Sequence, residues 1–585
     1  MSRGALTPQG LQARLAATIL VAVMLGMIGV SWATQRAFQS GLRPALQGEA
    51  AVVGASVGEL VGKARDRGLA LPELVGVREH LDDVRHEHPE LAYLALKDET
   101  GHILFESGKA EEQGIEVPLL RQRERIGGVE AQISGAYIRH ILLESALDLL
   151  VVFVVATFLT RELLNAISGA DAGLRATAPD SAATLARLRI PLFLFMLAEE
   201  LTRAFLPGYA HALMPKDPPI STEMLVGLPI VAFMLVVALG QPLLASWSER
   251  AGHRRTMLLG AGLGVIGLGG SALASGIADF IAWRSLCGLG YAMVFVAGQG
   301  LVIEHTAAAD RTRGFALFVG AIMVAAVCGP PIGAMLADHV GPRWGFAAAA
   351  LVAAVALLMV RGLPRDHADA GLSTQAPTAR DFLRLFEQGR FVWVTALAAL
   401  PAKLLLAGFC FYLVPIYLIA QGASVSVAGR AMMIYAVVLV LVMPQSTRWV
   451  ERGVPLAHLV GVGLCLSSLG GFALLAWSGA APVYLAMGLL GLGQGLSIAA
   501  QSSLLAQVCA AEIEAHGSGP VFGVYRLVER LGNASGPIVA ATLAATIGHA
   551  GAFVVMGSLV LACGLLFLLI ARTTRWGVGV AEAKA

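Results

Sequence analysis

The sequence predicts an all-α polytopic membrane protein: a twelve-helix bundle of six plus six, preceded by two extra transmembrane helices that flank a small α+β domain. Three observations carry this prediction. Hydrophobic residues make up 56% of the 585 and charged residues 14%, with a mean hydropathy of +0.71, values that a soluble chain of this length would not tolerate. From Ile190 onward the apolar residues gather into twelve segments of spanning length, whose basic loops fall mainly on one side. Short motifs of the first six segments recur, in order, in the second six. The net charge of +2 is distributed by loop, so no nucleic-acid partner is implied. The six cysteines lie in or beside apolar segments with no CxxC pair, which argues against disulfides and a zinc site. No cofactor, metal or catalytic group is expected.

Residues 1–34 read as a cytoplasmic N-terminus and a first anchor. The apolar run 15–34 follows Arg3 and Arg14 and is long enough to span, which favours an uncleaved anchor over a signal peptide. Residues 35–139 then lie outside. In that region 37–65 and 70–88 read as helices, Leu91 to Ser107 as two strands joined by the Asp98–Gly101 turn, and Gly127 to Ile133 as another strand. A long helix, a shorter one and a strand-Asp-x-x-Gly-strand resemble the extracytoplasmic Cache fold, a PAS-like sensor of bacterial receptors. The resemblance implies a small ligand of the outer domain, a periplasmic location for 35–139 and a bacterial inner membrane; the competing reading is a structural cap without a ligand.

Residues 140–162 return to the cytoplasm, and 163–187 form a linker too short for a kinase or a signalling helix. Whatever the outer domain senses must act on the remaining membrane domain or on a partner. The two halves then occupy 188–361 and 392–571, joined by the polar central loop 362–391 and followed by a tail, 572–585. The twelve spans are 190–213, 223–246, 257–276, 280–303, 314–337, 344–361, 392–419, 427–447, 455–477, 482–505, 521–546 and 550–571. Arg250, Arg254, Arg255, Arg311, Arg313, Arg365, Arg380, Arg384, Arg390, Arg448, Arg452, Arg572 and Arg575 mark one side, so both termini are expected in the cytoplasm. Trp247-Ser-Glu-Arg250 recurs as Trp449-Val-Glu-Arg452, Gly288-Leu-Gly290 as Gly491-Leu-Gly493, and Gly329-Pro330 as Gly536-Pro537, at offsets of 202, 203 and 207. Phe205-Leu-Pro207 matches Leu413-Val-Pro415 at 208. Duplication predicts a site near the midplane, between the halves.

The first of the twelve spans holds Glu199, Glu200 and Arg203 in the middle of an apolar run. By helix rise, Glu199 sits roughly 14 Å below the start of the span, where an ionisable group is costly and marks a functional site. Arg203 is spaced to pair with either glutamate but hardly with both, so one carboxylate is left over. Glu200 is favoured as the one that faces the cavity, because its spacing to Arg203 is shorter. Lys403 in the seventh span is roughly 18 Å deep by the same rise, and the alignment of Pro207 with Pro415 makes it the counter-charge for the spare glutamate.

Ala245-Ser-Trp-Ser-Glu-Arg-Ala-Gly-His-Arg-Arg255 resembles the signature loop of the major facilitator superfamily, with Ala245 in place of the usual Gly and Glu249 for the usual Asp. Arg284-Ser-Leu-Cys-Gly-Leu-Gly290 resembles that superfamily's fourth-helix motif, and Gly320-x8-Gly329-Pro330-Pro331-Ile332-Gly333 its antiporter-associated fifth-helix motif, with Ala334 in place of a final Gly. Arg343-Trp-Gly-Phe346 is similar to the drug:proton antiporter branch. The resemblance implies that Glu249, Arg250, Gly252, Arg254 and Arg255 form a gate, with the arginines bridging to the other half, and that Arg284 serves proton transfer. By the same repeat Glu451 and Arg452 are gating residues, and Arg526, Glu529 and Arg530 form a further helix-end cluster, with Glu529 paired to Arg526. Gln299 and Gln494 offer hydrogen bonds either to cargo or between helices.

The sequence thus predicts a secondary-active transporter that exports a small organic molecule in exchange for protons by alternating access, with the lipid bilayer as its surroundings. No ATP-binding loop of the G-x-x-x-x-G-K-[ST] type occurs. An importer of the same fold and a non-transporting receptor that relays the outer domain's state are the alternatives.

Overall fold

The computed structural model describes residues 43–66, 71–110, 114–121, 124–168, 179–306, 311–363, 385–516 and 518–573, together with scattered positions in 21–41. Most of the first anchor, linker positions 169–178, central-loop positions 364–384 and the tail from 574 fall outside the described residues, as do Arg3, Arg14, Arg175, Arg365, Arg380, Arg384 and Arg575. The described residues divide into two compact units, one within 13–157 and the other within 158–585.

In the first unit α1 (Arg43–Asp66) and α2 (Val77–Glu87) pack on an antiparallel sheet of β1 (Leu91–Asp98), β2 (Ile103–Gly108), β3 (Ile115–Arg121) and β4 (Glu124–Ile133), in the order β2-β1-β4-β3. Leu46, Ala50, Val53, Val57 and Val61 recur at spacings of three and four, which puts them on one buried face of α1. Gly54 and Gly58 on that helix let it lie close to Val117 and Leu119 of β3. The core also takes in Leu71, Leu81, Leu94, Leu96 and Val129.

The β1–β2 turn is built as the sequence predicts. Asp98 Oδ1 accepts hydrogen bonds from Thr100 N at 2.9 Å, Thr100 Oγ1 at 2.6 Å and His102 N at 2.8 Å, and Gly101 supplies the left-handed conformation at φ 85°. These donors, the Thr100 hydroxyl foremost, hold the Asp98 carboxyl below its ordinary value. Strand β3 is an addition to the sequence reading. Pro118 disguises it, and the sheet tolerates that proline because β3 is an edge strand.

Helix α3 (Gly135–Ser168) begins five residues before the predicted span and runs six beyond it. Its far end belongs to the second unit. There Glu162 accepts a two-pronged hydrogen bond from Arg189, with Nε to Oε1 at 2.6 Å and Nη2 to Oε2 at 2.9 Å, and both residues are buried. Arg189 lies on α4 (Pro179–Leu201), the helix that carries Glu199 and Glu200.

The remaining helices are α5 (Leu206–Ala212), α6 (Thr222–Ala251), α7 (His253–Ala272), α8 (Ile277–His305), α9 (Arg311–Val340), α10 (Pro342–Val360), α11 (Gly389–Ala420), α12 (Val425–Glu451), α13 (Leu456–Ala476), α14 (Ala480–Val508), α15 (Ala510–His516) and α16 (Ser518–Thr573). Among the described residues, ten helices are long and apolar enough to cross a membrane. The last of these, Val521–Thr573, covers two predicted spans and breaks at Gly548, φ 76°. The first predicted span is not one helix. It is interrupted at residues 202–205 between α4 and α5. Pro207 explains the interruption, since it has no N–H to offer the carbonyl of Arg203 and its ring crowds that carbonyl.

The repeat is visible in the packing. Glycines of α8 face backbone of α7 and α6, and their counterparts on α14 face α13 and α12. A Cβ on Gly290 would lie 2.6 Å from Gly260 O, and one on Gly493 would overlap Gly463 O; Gly288 meets Phe233 O at 2.7 Å, and Gly491 meets Tyr435 O at 2.5 Å. The recurring Gly-Leu-Gly is therefore a helix-packing device used twice.

Candidate functional site

The interruption between α4 and α5 leaves the chain open beside a cluster of buried charges. Thr202 N donates to Glu199 O and Arg203 N to Glu200 O, tight turn-type bonds in place of the helical ladder. Arg284 of α8 places Nη1 and Nη2 each 3.3 Å from Glu199 Oε2; the two residues are 4% and 2% exposed. Arg203 Nε lies 2.6 Å from Glu200 Oε2, a close charge contact out of line for a hydrogen bond. Two carboxylates and two guanidiniums balance to zero, the arrangement that makes buried charge tolerable.

A small cavity is lined by Glu199, Arg203, Arg284, Phe233 and Phe411, with Leu206, Ile230 and Met234. Arg284 stacks on Phe233 at 4.8 Å from the ring centre, and Arg203 stacks on Phe411 at 4.2 Å. Phe411 belongs to α11, so both halves contribute to the cavity. It sits in the second of two π-helical turns of α11, Ala407–Leu413, the first being Thr395–Ala399. These wide turns lie just before Pro401 and Pro415, so the aligned prolines Pro207 and Pro415 each follow a departure from regular helix. Neither aromatic residue carries a motif that the sequence reading could have used. Glu199 Oε1 and Arg284 Nε are buried without a hydrogen bond, which leaves one acceptor and one donor uncommitted at the cavity.

Three expectations are corrected here. Glu199 lines the cavity, whereas Glu200 turns toward α9, where its Cβ fills the space a side chain at Gly329 would need. The shorter spacing to Arg203 does pair Glu200, and that pairing draws it away from Arg284. Lys403 is not the counter-charge of the spare glutamate: its Nζ lies 3.5 Å from Glu529 Oε1, and Arg284 takes the Glu199 role. Gly532 and Gly536 bring α16 against the Leu400 and Leu404 carbonyls of α11, which places Glu529 beside Lys403. Glu529 is thus joined to Lys403, not to Arg526 as expected, and Arg526 is exposed. Lys403→Met is expected to destabilise the bundle by about 1–3 kcal/mol through the unpaired Glu529. Adding Glu529→Leu should recover most of the loss, as a thermal-unfolding double-mutant cycle would measure.

Gly252, at φ 95°, turns the chain from α6 into α7, beside the half-buried Glu249. Arg250 Nε donates to Ser246 O, and Arg254 Nη2 to Arg361 O at 2.7 Å, a carbonyl just past the end of α10. Arg255, Glu451 and Arg452 are exposed. Arg530 does cross between halves, with its guanidinium 5.4 Å from the ring centre of Phe295 on α8. Gln494 is 1% exposed and donates to Ala402 O at 3.0 Å, a helix-to-helix bond, and Gln299 is half-buried; neither is among the cavity-lining side chains. In the fifth-helix motif Gly320 faces open space, Gly329 and Gly333 face the backbone of α4, and Pro330 and Pro331 lie inside α9.

Long apolar helices around buried, charge-balanced residues define a multi-pass membrane protein. Residues 190–526, more than half of the chain, match the Major Facilitator Superfamily model, and the chain belongs to that family. Over 163 residues it is 31% identical to the chloramphenicol resistance protein CraA of Acinetobacter baumannii, covering 27% of this chain and 38% of that one. Over 158 residues it is 27% identical to the vesicular acetylcholine transporter of Mus musculus, covering 26% and 30%. The chain therefore spans well under two thirds of these curated relatives. Among solved structures, a POT family transporter in complex with 5-aminolevulinic acid superposes with a TM-score of 0.55 at 14% identity, covering 66% of this chain and 96% of that one. A peptide transporter POT in complex with sulfate also gives 0.55, at 16% identity, covering 67% and 95%. These likenesses show the fold.

Proposed function

We propose that the chain is a secondary-active transporter of the drug:proton antiporter type, with twelve transport helices, two front helices and a Cache-like domain on the periplasmic side of a bacterial inner membrane. The observation that carries this reading is the Glu199–Arg284 pair at the cavity, beside the broken first span. Interrupted helices with uncommitted polar atoms at depth are how membrane transporters build substrate and ion sites.

In the proposed cycle, ionised Glu199 holds Arg284. A proton on Glu199 neutralises the carboxylate and weakens the pair, changing the cavity from neutral to singly positive and releasing Arg284 to a new partner. Cargo held against Phe233, Phe411 and the apolar wall would sense that change, and binding of proton and cargo would become mutually exclusive. The two cation-stacked rings on its wall favour a small, partly aromatic cargo. Chloramphenicol, named in the CraA relative, is the first compound to test.

In proteoliposomes of known orientation, an imposed pH gradient is expected to drive chloramphenicol through the parent protein, and Glu199→Gln should slow that movement by roughly tenfold or more. Glu200→Gln should have the smaller effect, because Glu200 faces α9. Gradient-driven movement that is identical in parent and Glu199→Gln would refute the coupling role.

A further inference from the structure

The halves also meet at the end of the bundle away from the Arg-rich loops. There Asp338, in the last turn of α9, reaches the first turn of α12. Its Oδ1 accepts a hydrogen bond from Val425 N at 3.0 Å, and its Oδ2 accepts from Ser426 N at 2.7 Å and Ser426 Oγ at 2.5 Å. The first N–H groups of a helix have no partner within it, and the helix dipole is positive there. Ser424, in the N-cap position of α12, makes no side-chain cap, so the opposite half supplies it.

The surrounding packing closes the same end. A Cβ on Gly429 of α12 would lie 2.9 Å from Pro330 O and 2.6 Å from the Ala334 methyl, both on α9. Tyr412 of α11 donates to Glu223 O of α6 at 2.7 Å, a second bond between the halves near this end. Apolar helix faces can slide over one another with little penalty. A carboxylate that receives three hydrogen bonds from one helical turn fixes a single register.

We propose that Asp338 is a gating residue, a latch that keeps this end of the bundle closed, and that opening it requires the first turn of α12 to leave the carboxylate. The proposal rests on the alternating-access reading, yet its central claim is conformational and needs no cargo. Both sides of the latch become hydrated when it opens, so the closed state is favoured without being locked.

Spin labels at His339→Cys in the last turn of α9 and Ser424→Cys at the N-cap of α12, two exposed positions beside the latch, report the separation of α9 and α12. The partly exposed Cys465 and Cys563 are first replaced by serine. In the full-length protein in lipid nanodiscs, Asp338→Ala is expected to raise the ratio of long to short separations roughly tenfold, and Ser426→Ala about threefold. Coincident distance distributions for parent and Asp338→Ala would overturn the latch. If Asp338→Ala does not fold, Ser426→Ala decides alone, and an unchanged distribution there has the same force. A shifted distribution in a protein that moves no cargo would uphold the latch and remove the transport reading; unchanged distances with intact gradient-driven transport would do the reverse.

Discussion

Arg284→Ala is expected to abolish gradient-driven cargo movement and to destabilise the bundle by about 3–5 kcal/mol, the usual consequence of leaving one partner of a buried ion pair alone. Glu199 is 2% exposed, and both of its described charge-assisted hydrogen bonds come from Arg284. Without that guanidinium the carboxylate must take up a proton or admit water. The double variant Arg284→Ala, Glu199→Gln should regain much of the stability in a detergent melt, because no charge then stands alone, and still fail to move cargo. Recovery of both would show that the pair is structural. A melt of Arg284→Ala that matches the parent would show that Glu199 is already served by other groups.

Gly333→Ala should be the most disruptive single methyl in the bundle. A Cβ there would overlap the carbonyl oxygen of Leu201, a backbone atom of α4 that cannot rotate away. The helices must separate, at a cost at or beyond the upper end of the about 1–3 kcal/mol typical of overpacking. The displaced element carries Glu200 and ends one residue before the opened stretch, so transport should fall with stability. Gly320→Ala provides the contrast. Its added methyl meets nothing within 4 Å, and alanine is the better helix former. Expression, melting temperature and transport of the two variants should diverge although both alter the same motif.

These results mark how far the sequence could be read. Hydropathy and the paired motifs reveal the helices because burial in lipid selects whole segments, and Asp98 with Gly101 reveals a hairpin because the turn's chemistry is local. Glu199, Glu200 and Arg203 are legible as costly charges at depth, and Arg284 through the motif it resembles. Their pairing is not legible, since it depends on helix rotation and on contact between residues 85 positions apart. Counting spacings along α4 finds the Glu200–Arg203 pair, and it cannot show that α8 delivers Arg284 to the neighbouring carboxylate. Lys403 went to the wrong partner for the same reason: the repeat aligns positions along helices, and Glu529 approaches from the side. Asp338 stands at a helix end, where an acidic residue carries no signal of depth.

The clasp between Glu162 and Arg189 bears on where this chain can be cut. Composition draws a natural seam in the polar segment around 163–187, with the small α+β domain on one side and the bundle on the other. Each end of the clasp lies on a different side of that seam. A chain shortened to begin at α4 would retain Arg189 and lose the carboxylate that grips both of its prongs. The far end of α3 is thus a member of the bundle. Exchange of the front domain between chains of this plan can preserve the bundle's charge balance only when the joint is placed ahead of Glu162.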